Sequence, residues 1–367
     1  MKKVGCIGSA TQDIFMLYEG AETLHLHTRS RDRSFMMLEQ GTKVDIPSLH
    51  YATGGGATNA AASFKRLGFD VETFFKIGND NAGRYIHEEL ERERIGIQHS
   101  IIDTQTATAI SFIVPSMEHN HVALCYRGEN TMLALENFPI AVMQSLDHLY
   151  ISPLSDHSGL LLPAIATKAQ ELGKPVAHNP SITQLVHDTA VFLSALHAIN
   201  ILIVNTYEAT HLIKGLLKED PQCADRFKQP TKGQPSTPPL LNHFMAFNNT
   251  RISLYEYATE ILSRGPSIAI VTDGARGVYV ATPESIYFHP SIKTETAYGL
   301  GAGDAFGSTF VGALALGKSL EEAIVYGVIN ASSVIHYPDA KQGLLTLADL
   351  EKRAAIIETS KLQKFSR

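Results

Sequence analysis

Residues Gly299 to Gly317 read G-L-G-A-G-D-A-F-G-S-T-F-V-G-A-L-A-L-G. The stretch begins with glycines, sets a carboxylate where a helix should start, and then repeats apolar residues at helical spacing (Phe306, Phe310, Leu314) until Gly317 can close it. This predicts a helix with Asp304 at its N-terminus. Gly301 and Gly303 let the backbone approach a ligand closely, and first-turn N–H groups with the positive end of the helix dipole make a pocket for an anion. A carboxylate beside such a pocket suits a base that takes a proton from an attacking hydroxyl. The same residues also describe an Asp that only caps a helix after a glycine turn. This stretch alone leaves both readings open.

Outward from it, short apolar, β-branched runs at residues 4–7, 73–77, 148–151, 175–177, 201–204 and 268–272 alternate with segments of helical period. Two such helices are expected at residues 59–67, closed by Gly68, and 81–94, with Ile86 and Leu90 facing the sheet. The alternation predicts an α/β fold, a mostly parallel sheet covered by helices on both faces, with ligands at the C-terminal ends of its strands. Residues 16–50 and 106–129 break the rhythm and read as strands without helices. They are expected to pair as a small separate β-sheet acting as a lid, which would exclude water from a reaction beneath it. The α/β domain would then comprise residues 1–15, 51–105 and 130–367. Within it, residues 219–250 carry five prolines among polar residues and are expected to form an inserted surface loop.

The 367 residues hold 31 Lys+Arg against 37 Asp+Glu, with no basic block, so nucleic acid is not an expected partner. Cys6, Cys125 and Cys223 are far apart and lack metal-type spacing, which fits a reducing compartment. The apolar run after Lys2 and Lys3 ends by Asp13, too short for a signal peptide, and residues 190–204 are too short and too polar to span a bilayer. A cytoplasmic protein with no membrane partner is expected.

Other elements could carry chemistry. Gly54-Gly55-Gly56 precede a helix on which Asn59 can both donate to and accept from a polyol, and Asp13 should reach the same rim. Either residue alone is also an ordinary turn or cap residue. Asn205 and Glu208, three residues apart after an apolar strand, would share a helix face and suit the water shell of Mg²⁺. In Thr272-Asp273-Gly274-Ala275-Arg276-Gly277, a hydroxyl and two glycines could hold phosphates or simply form a tight turn.

Taken in this order along an alternating chain, these elements resemble the ribokinase or PfkB-type carbohydrate kinase family. The early G-G-x-x-x-N, the N-x-x-E, the T-x-G-x-x-G and the late G-A-G-D-A-F span nearly the whole sequence, and Ile77 to Gly83 and Tyr126 to Asn130 look like that family's connecting segments. The resemblance implies a ribokinase-like kinase that uses ATP and Mg²⁺ to phosphorylate a hydroxyl of a sugar or sugar-like alcohol, or of a nucleoside. It implies Asp304 as general base, with Gly301, Ala302 and Gly303 forming an anion hole. Asp13, Gly55, Gly56 and Asn59 would hold the sugar. Thr272, Gly274, Gly277 and Asn330 would contact ATP, and Asn205 and Glu208 would position Mg²⁺ through water. By fold-level analogy, a lid sheet with exposed edges could pair with a second copy as a homodimer.

Where the family has D-T-x-G-A-G-D, this chain has Tyr298 and Gly299 in the first two places. In members activated by a monovalent cation that Asp belongs to the cation site, so a potassium site does not carry over. This substitution is also the feature that favours a non-catalytic binding protein on the same fold, against an intact Asp304 and glycine loop. Two further patterns are read as decoys. Gly312 to Ser319 matches a P-loop letter for letter, but its first residues continue an apolar helix, with Gly317 as stop and Ser319 with Glu322 as the next capping box. His25 with His27, and His119 with His121, could each face a metal from one strand but lack a third ligand, and are read as lid residues.

Overall fold

The computed structural model describes residues 1–18, 20–27, 32–115, 121–227, 238–247, 250–294, 298–356 and 361–367. Its centre is a nine-stranded sheet in the order Gln363–Ser366, Ser285–His289, Val278–Ala281, Ile268–Thr272, Ile201–Asn205, Val176–His178, His148–Ile151, Lys3–Ile7 and Asp70–Phe74. The strands from Ile268–Thr272 to Asp70–Phe74 are parallel, and the three at the other edge are antiparallel. Side chains alternate between two buried layers: Leu149, Ile151, Leu202 and Val204 pack on one face, and Val4, Cys6, Tyr150 and Ile203 on the other. Burial on both faces explains why these strands read as continuous apolar runs. The chain therefore has the expected ribokinase-like α/β architecture.

Sequence and structure differ in several places. The run at 73–77 straddles two strands, Asp70–Phe74 and Lys76–Gly78. The antiparallel edge was not legible, because hairpin strands such as Val278–Ala281 continue the apolar composition around them. Residues 219–250 are not a structureless excursion either: a 3-10 turn at Pro221–Phe227, a short helix at Pro239–Asn242 and strand Met245–Phe247 fall within them. Cys223, Phe227, Leu240 and Leu241 are buried in the main core, so the flanks of this segment are anchored. Residues 228–237 lie outside the described residues.

A separate four-stranded sheet runs His121–Tyr126, Ala109–Pro115, Thr11–Leu17, Ser48–Gly54. It begins at Thr11 and extends to Gly54, beyond the expected lid boundaries at 16 and 50. Asp13 therefore belongs to this second sheet, paired with Ala52 and Ser111, and not to the end of the first central strand. Phe15, Ala52 and Ile113 form a small core of their own, against which Leu300 of the Gly299 loop packs. A further hairpin, Glu22–His27 with Asp32–Met37, carries His25 and His27 exposed. His119 lies outside the described residues.

Candidate active site

The Gly299 stretch folds as its pattern predicts. Gly301 takes φ +75° and caps helix Ala302–Ala315, which places Asp304 in the first turn. A Cβ at Gly301 would meet the Cβ of Ala340 at 2.4 Å and its Cα at 2.7 Å, so this position needs glycine for both its conformation and its space. Around Gly303 there is open space. The first N–H groups of an α-helix have no partner within it and carry the positive end of its dipole. After Leu316, Gly317 turns the chain at φ +83°, and Ser319 with Glu322 forms the capping box of helix Leu320–Val334, which removes the P-loop reading.

The first glycine stretch meets the same point from the other side. Helix Gly56–Arg66 carries Asn59, whose Nδ2 donates to Asp304 Oδ2 at 2.9 Å. Asn59 is buried and its Oδ1 has no partner, leaving one acceptor beside the carboxylate. Burial raises Asp304 above the ordinary carboxylate range, while the bond from Asn59 opposes that rise.

The glycines themselves are accounted for by packing within the chain. A Cβ at Gly54 would lie 1.9 Å from Asp13 Oδ2, at Gly55 2.5 Å from the carbonyl oxygen of Ser9, and at Gly56 2.6 Å from Cβ of Ser152. The helix end is also capped internally, with Gly56 N donating to Ser9 Oγ at 2.9 Å. The close approach required at Gly55 and Gly56 is thus between parts of the protein, and it brings Asp13 and Asn59 to one rim. Burial pushes the Asp13 carboxyl up to about 7, against the bond from Ser111 and the charge of Lys341, with Asp339 and Asp304 adding to the rise. Next to it opens a small cleft lined by Ser9, Thr11, Ser111, Tyr126, Arg127 and Asn130, among others.

Asn205 and Thr272 are registered neighbours at the C-terminal ends of adjacent parallel strands. Asn205 caps helix Thr206–Glu219: its side chain accepts from Glu208 N at 2.9 Å, and Glu208 Oε2 accepts from Asn205 N at 2.8 Å. Burial raises Glu208, the cap opposes this, and the charge of Asp304 adds to the rise. Two carboxylates that repel each other in one cleft would gain from a cation between them. Gly274, at φ +53°, faces open space, whereas Gly277, at φ +134°, is needed because a Cβ would lie 2.2 Å from the carbonyl oxygen of His289. Arg276 and Asp273 pair through two bonds of 2.7 and 2.6 Å and stiffen this turn.

Asn330 is placed differently from the expectation. It is fully buried, donates to Thr309 Oγ1 at 2.6 Å and accepts from Leu345 N at 3.0 Å. It ties Leu345 to helices Ala302–Ala315 and Leu320–Val334, and its fully buried side chain has no exposed atom to meet a nucleotide. Ser111 and Lys341 neighbour Asp13 without any motif that marked them, and Arg127, on the adjoining cleft, falls in the Tyr126 to Asn130 segment without being singled out there. Ser111 and Arg127 lie in lid segments whose register sequence does not fix, and Lys341 is a single cation in a loop.

The model of the pfkB family carbohydrate kinases matches residues 1–237 and 241–347. The chain belongs to the pfkB family. Among its relatives, the ribokinase of Haemophilus influenzae is 24% identical over 298 residues, 80% of this chain and 85% of that protein. Solved structures share the fold: a nucleoside kinase of Burkholderia thailandensis in complex with inosine superposes with a TM-score of 0.71 at 16% identity, over 96% of this chain and 98% of that one. A ribokinase of Arabidopsis thaliana complexed with ribose and ATP gives a TM-score of 0.70 at 16% identity, with the same coverage. This pfkB protein is accordingly a sugar-kinase-type phosphotransferase. Among its described residues no helix is long and apolar enough to cross a membrane.

Proposed function

We propose that the chain transfers the terminal phosphoryl group of ATP to a hydroxyl of a sugar or sugar-like alcohol, with Asp304 as general base. The observation that carries this reading is the bond from Asn59 to the Asp304 carboxylate in the first turn of helix Ala302–Ala315, with Asp13 close enough to feel the Asp304 charge. Asp13 and the open Oδ1 of Asn59 would hold acceptor hydroxyls. Asp304 would take the proton of the attacking hydroxyl, and the N–H groups of Ala302 and Gly303 would meet charge developing on the moving phosphoryl group. In-line placement and charge stabilisation then supply most of the rate, with little covalent work by the protein.

ATP would lie over the ends of strands Ile201–Asn205 and Ile268–Thr272, against Thr272 and Gly274, with Gly277 shaping the turn. Asn205 and Glu208 would hold Mg²⁺ through water, and the repulsion between Glu208 and Asp304 fits a cation there. Bound there, Mg²⁺ supplies neutralisation of phosphate charge. The hydroxyl and amide groups of Ser9, Thr11, Ser111 and Asn130 along the cleft would suit a polyol. The exposed face of the second sheet, with Leu49, Tyr51, Phe112 and Leu124, supports pairing with a second copy. ATP-dependent phosphorylation of a panel of free sugars, sugar acids and nucleosides tests the reading. Turnover of a sugar ahead of adenosine or inosine is expected; turnover of nucleosides alone, or of nothing, would refute it.

A further inference from the structure

Lys341 is a cation buried where the second sheet, the first glycine strand and the Gly301 turn meet. Only 7% of it is exposed, and its Nζ donates to Thr53 Oγ1 at 2.5 Å. Thr53 precedes Gly54, the residue over which the Asp13 carboxyl lies. On the other side, the neighbouring Ala340 occupies the space that a side chain at Gly301 would need. The loop holding Lys341 is fixed at both ends: Asp339 Oδ1 accepts from Lys341 N at 2.8 Å and Gln342 N at 2.7 Å, and Asn330 holds Leu345.

A buried ammonium costs several kcal/mol unless negative charge faces it. The groups facing Lys341 come from three elements. Asp13 comes from strand Thr11–Leu17, Asp339 from its own loop, and Glu89 and Glu93 from helix Asn81–Arg92 and its C-cap. Asp339 also meets His50 of strand Ser48–Gly54 at 3.5 Å, and Asp304 faces Asp13 from the catalytic helix. Burial lowers Lys341 to about 8 despite these carboxylates. Between the titration of Asp13 and that of Lys341, the two are oppositely charged.

We propose that Lys341 is a positioning residue, an internal cation that keeps Asp13 charged and aimed at the acceptor hydroxyls and ties that carboxylate to the Gly301 turn. The proposal rests on the reading of Asp13 as an acceptor ligand. It makes acceptor binding and the anion pocket a single mechanical unit, joined through residues 339–341, although 288 residues separate Lys341 from Thr53.

The test uses the full chain labelled with ¹³C at aspartate carboxyls, the Asp13 signal being the one lost in Asp13→Asn. In Lys341→Met, Asp13 should titrate higher by about one pH unit. The KM for the best acceptor of the panel at pH 7 should rise about tenfold, with the KM for ATP within about twofold. Lys341→Arg, which stays charged at every accessible pH, should keep the low KM and abolish the loss of acceptor affinity above about pH 8 expected of the unmodified protein. An unchanged Asp13 titration in Lys341→Met, or a fall in kcat with acceptor KM unaltered, would overturn the proposal. If Lys341→Met does not fold, an alkaline limb that persists in Lys341→Arg overturns it instead. If no panel compound is phosphorylated, the proposed function fails while the Asp13 titration still decides the role of Lys341.

Discussion

Asn59 Nδ2 donates to Asp304 Oδ2 at 2.9 Å across 245 residues of chain, joining the helix that opens the α/β domain to the helix near its end. The bond stabilises the charged form of Asp304 against a burial that disfavours it. Replacing Asn59 with Ala should therefore let Asp304 hold its proton to higher pH. The acid limb of kcat/KM is expected to move upward, with kcat/KM at pH 7 falling about tenfold to a hundredfold. An unmoved limb in a folded variant would argue against the pairing.

The Gly301 turn offers a contrast between two glycines, Gly301 and Gly303, separated by one residue. Gly301→Ala forces a side chain into left-handed backbone and into Ala340, and should destabilise by about 2 to 4 kcal/mol. Gly303→Ala adds a methyl in open space and should keep the melting temperature within about 2 °C. If phosphate lies where proposed, that methyl should still raise the KM for ATP. Thermal melts and ATP kinetics on the two variants separate packing from phosphate contact.

Asp13 gives a pH dependence with a defined sign. Its carboxyl is pushed up to about 7, so below that pH it becomes protonated and, in the proposed role, would lose its capacity to accept from the substrate hydroxyls. The acceptor KM should rise about tenfold per pH unit below the titration point, with the ATP KM flat. Because the folded value lies above the unfolded one, the ligand-free protein should also lose stability as pH rises from about 4 through 7. Asp13→Asn should flatten both profiles, which acceptor kinetics and melts across pH 4 to 8 would show.

Tyr298 stands where the family's cation-activated members have an Asp, and its N–H donates to the carbonyl oxygen of Ile335 at 2.8 Å. Rates in sodium, potassium and a bulky organic cation are expected to agree within about twofold, since monovalent screening at equal ionic strength is the same. Strong potassium activation would contradict this reading of Tyr298.

Much of this was legible in sequence where local rules and burial agree. Helix Ala302–Ala315 announces itself through glycines, an acidic first turn and apolar spacing, and central strands such as Ile201–Asn205 through uninterrupted apolar runs. The boundary of the second sheet was missed because Thr11 to Leu17 is continuous in composition with the first strand, and only the pairing of Asp13 with Ala52 and Ser111 assigns it. Glycine was read correctly as close approach at Gly55, but sequence could not tell a ligand from Ser9 as the group approached. Asn330 and Lys341 show the same limit: a polar residue's partner lies hundreds of residues away or in a loop, and periodicity carries no information about it.

The most direct test of the central claim is single-turnover phosphoryl transfer by Asp304→Asn, alongside ATP binding by calorimetry. The amide keeps the shape and removes the base, so transfer should fall about a hundredfold to ten-thousandfold with ATP affinity within about threefold of the unmodified protein. Turnover at the unmodified rate in a folded Asp304→Asn protein would contradict the assignment of Asp304 as the base.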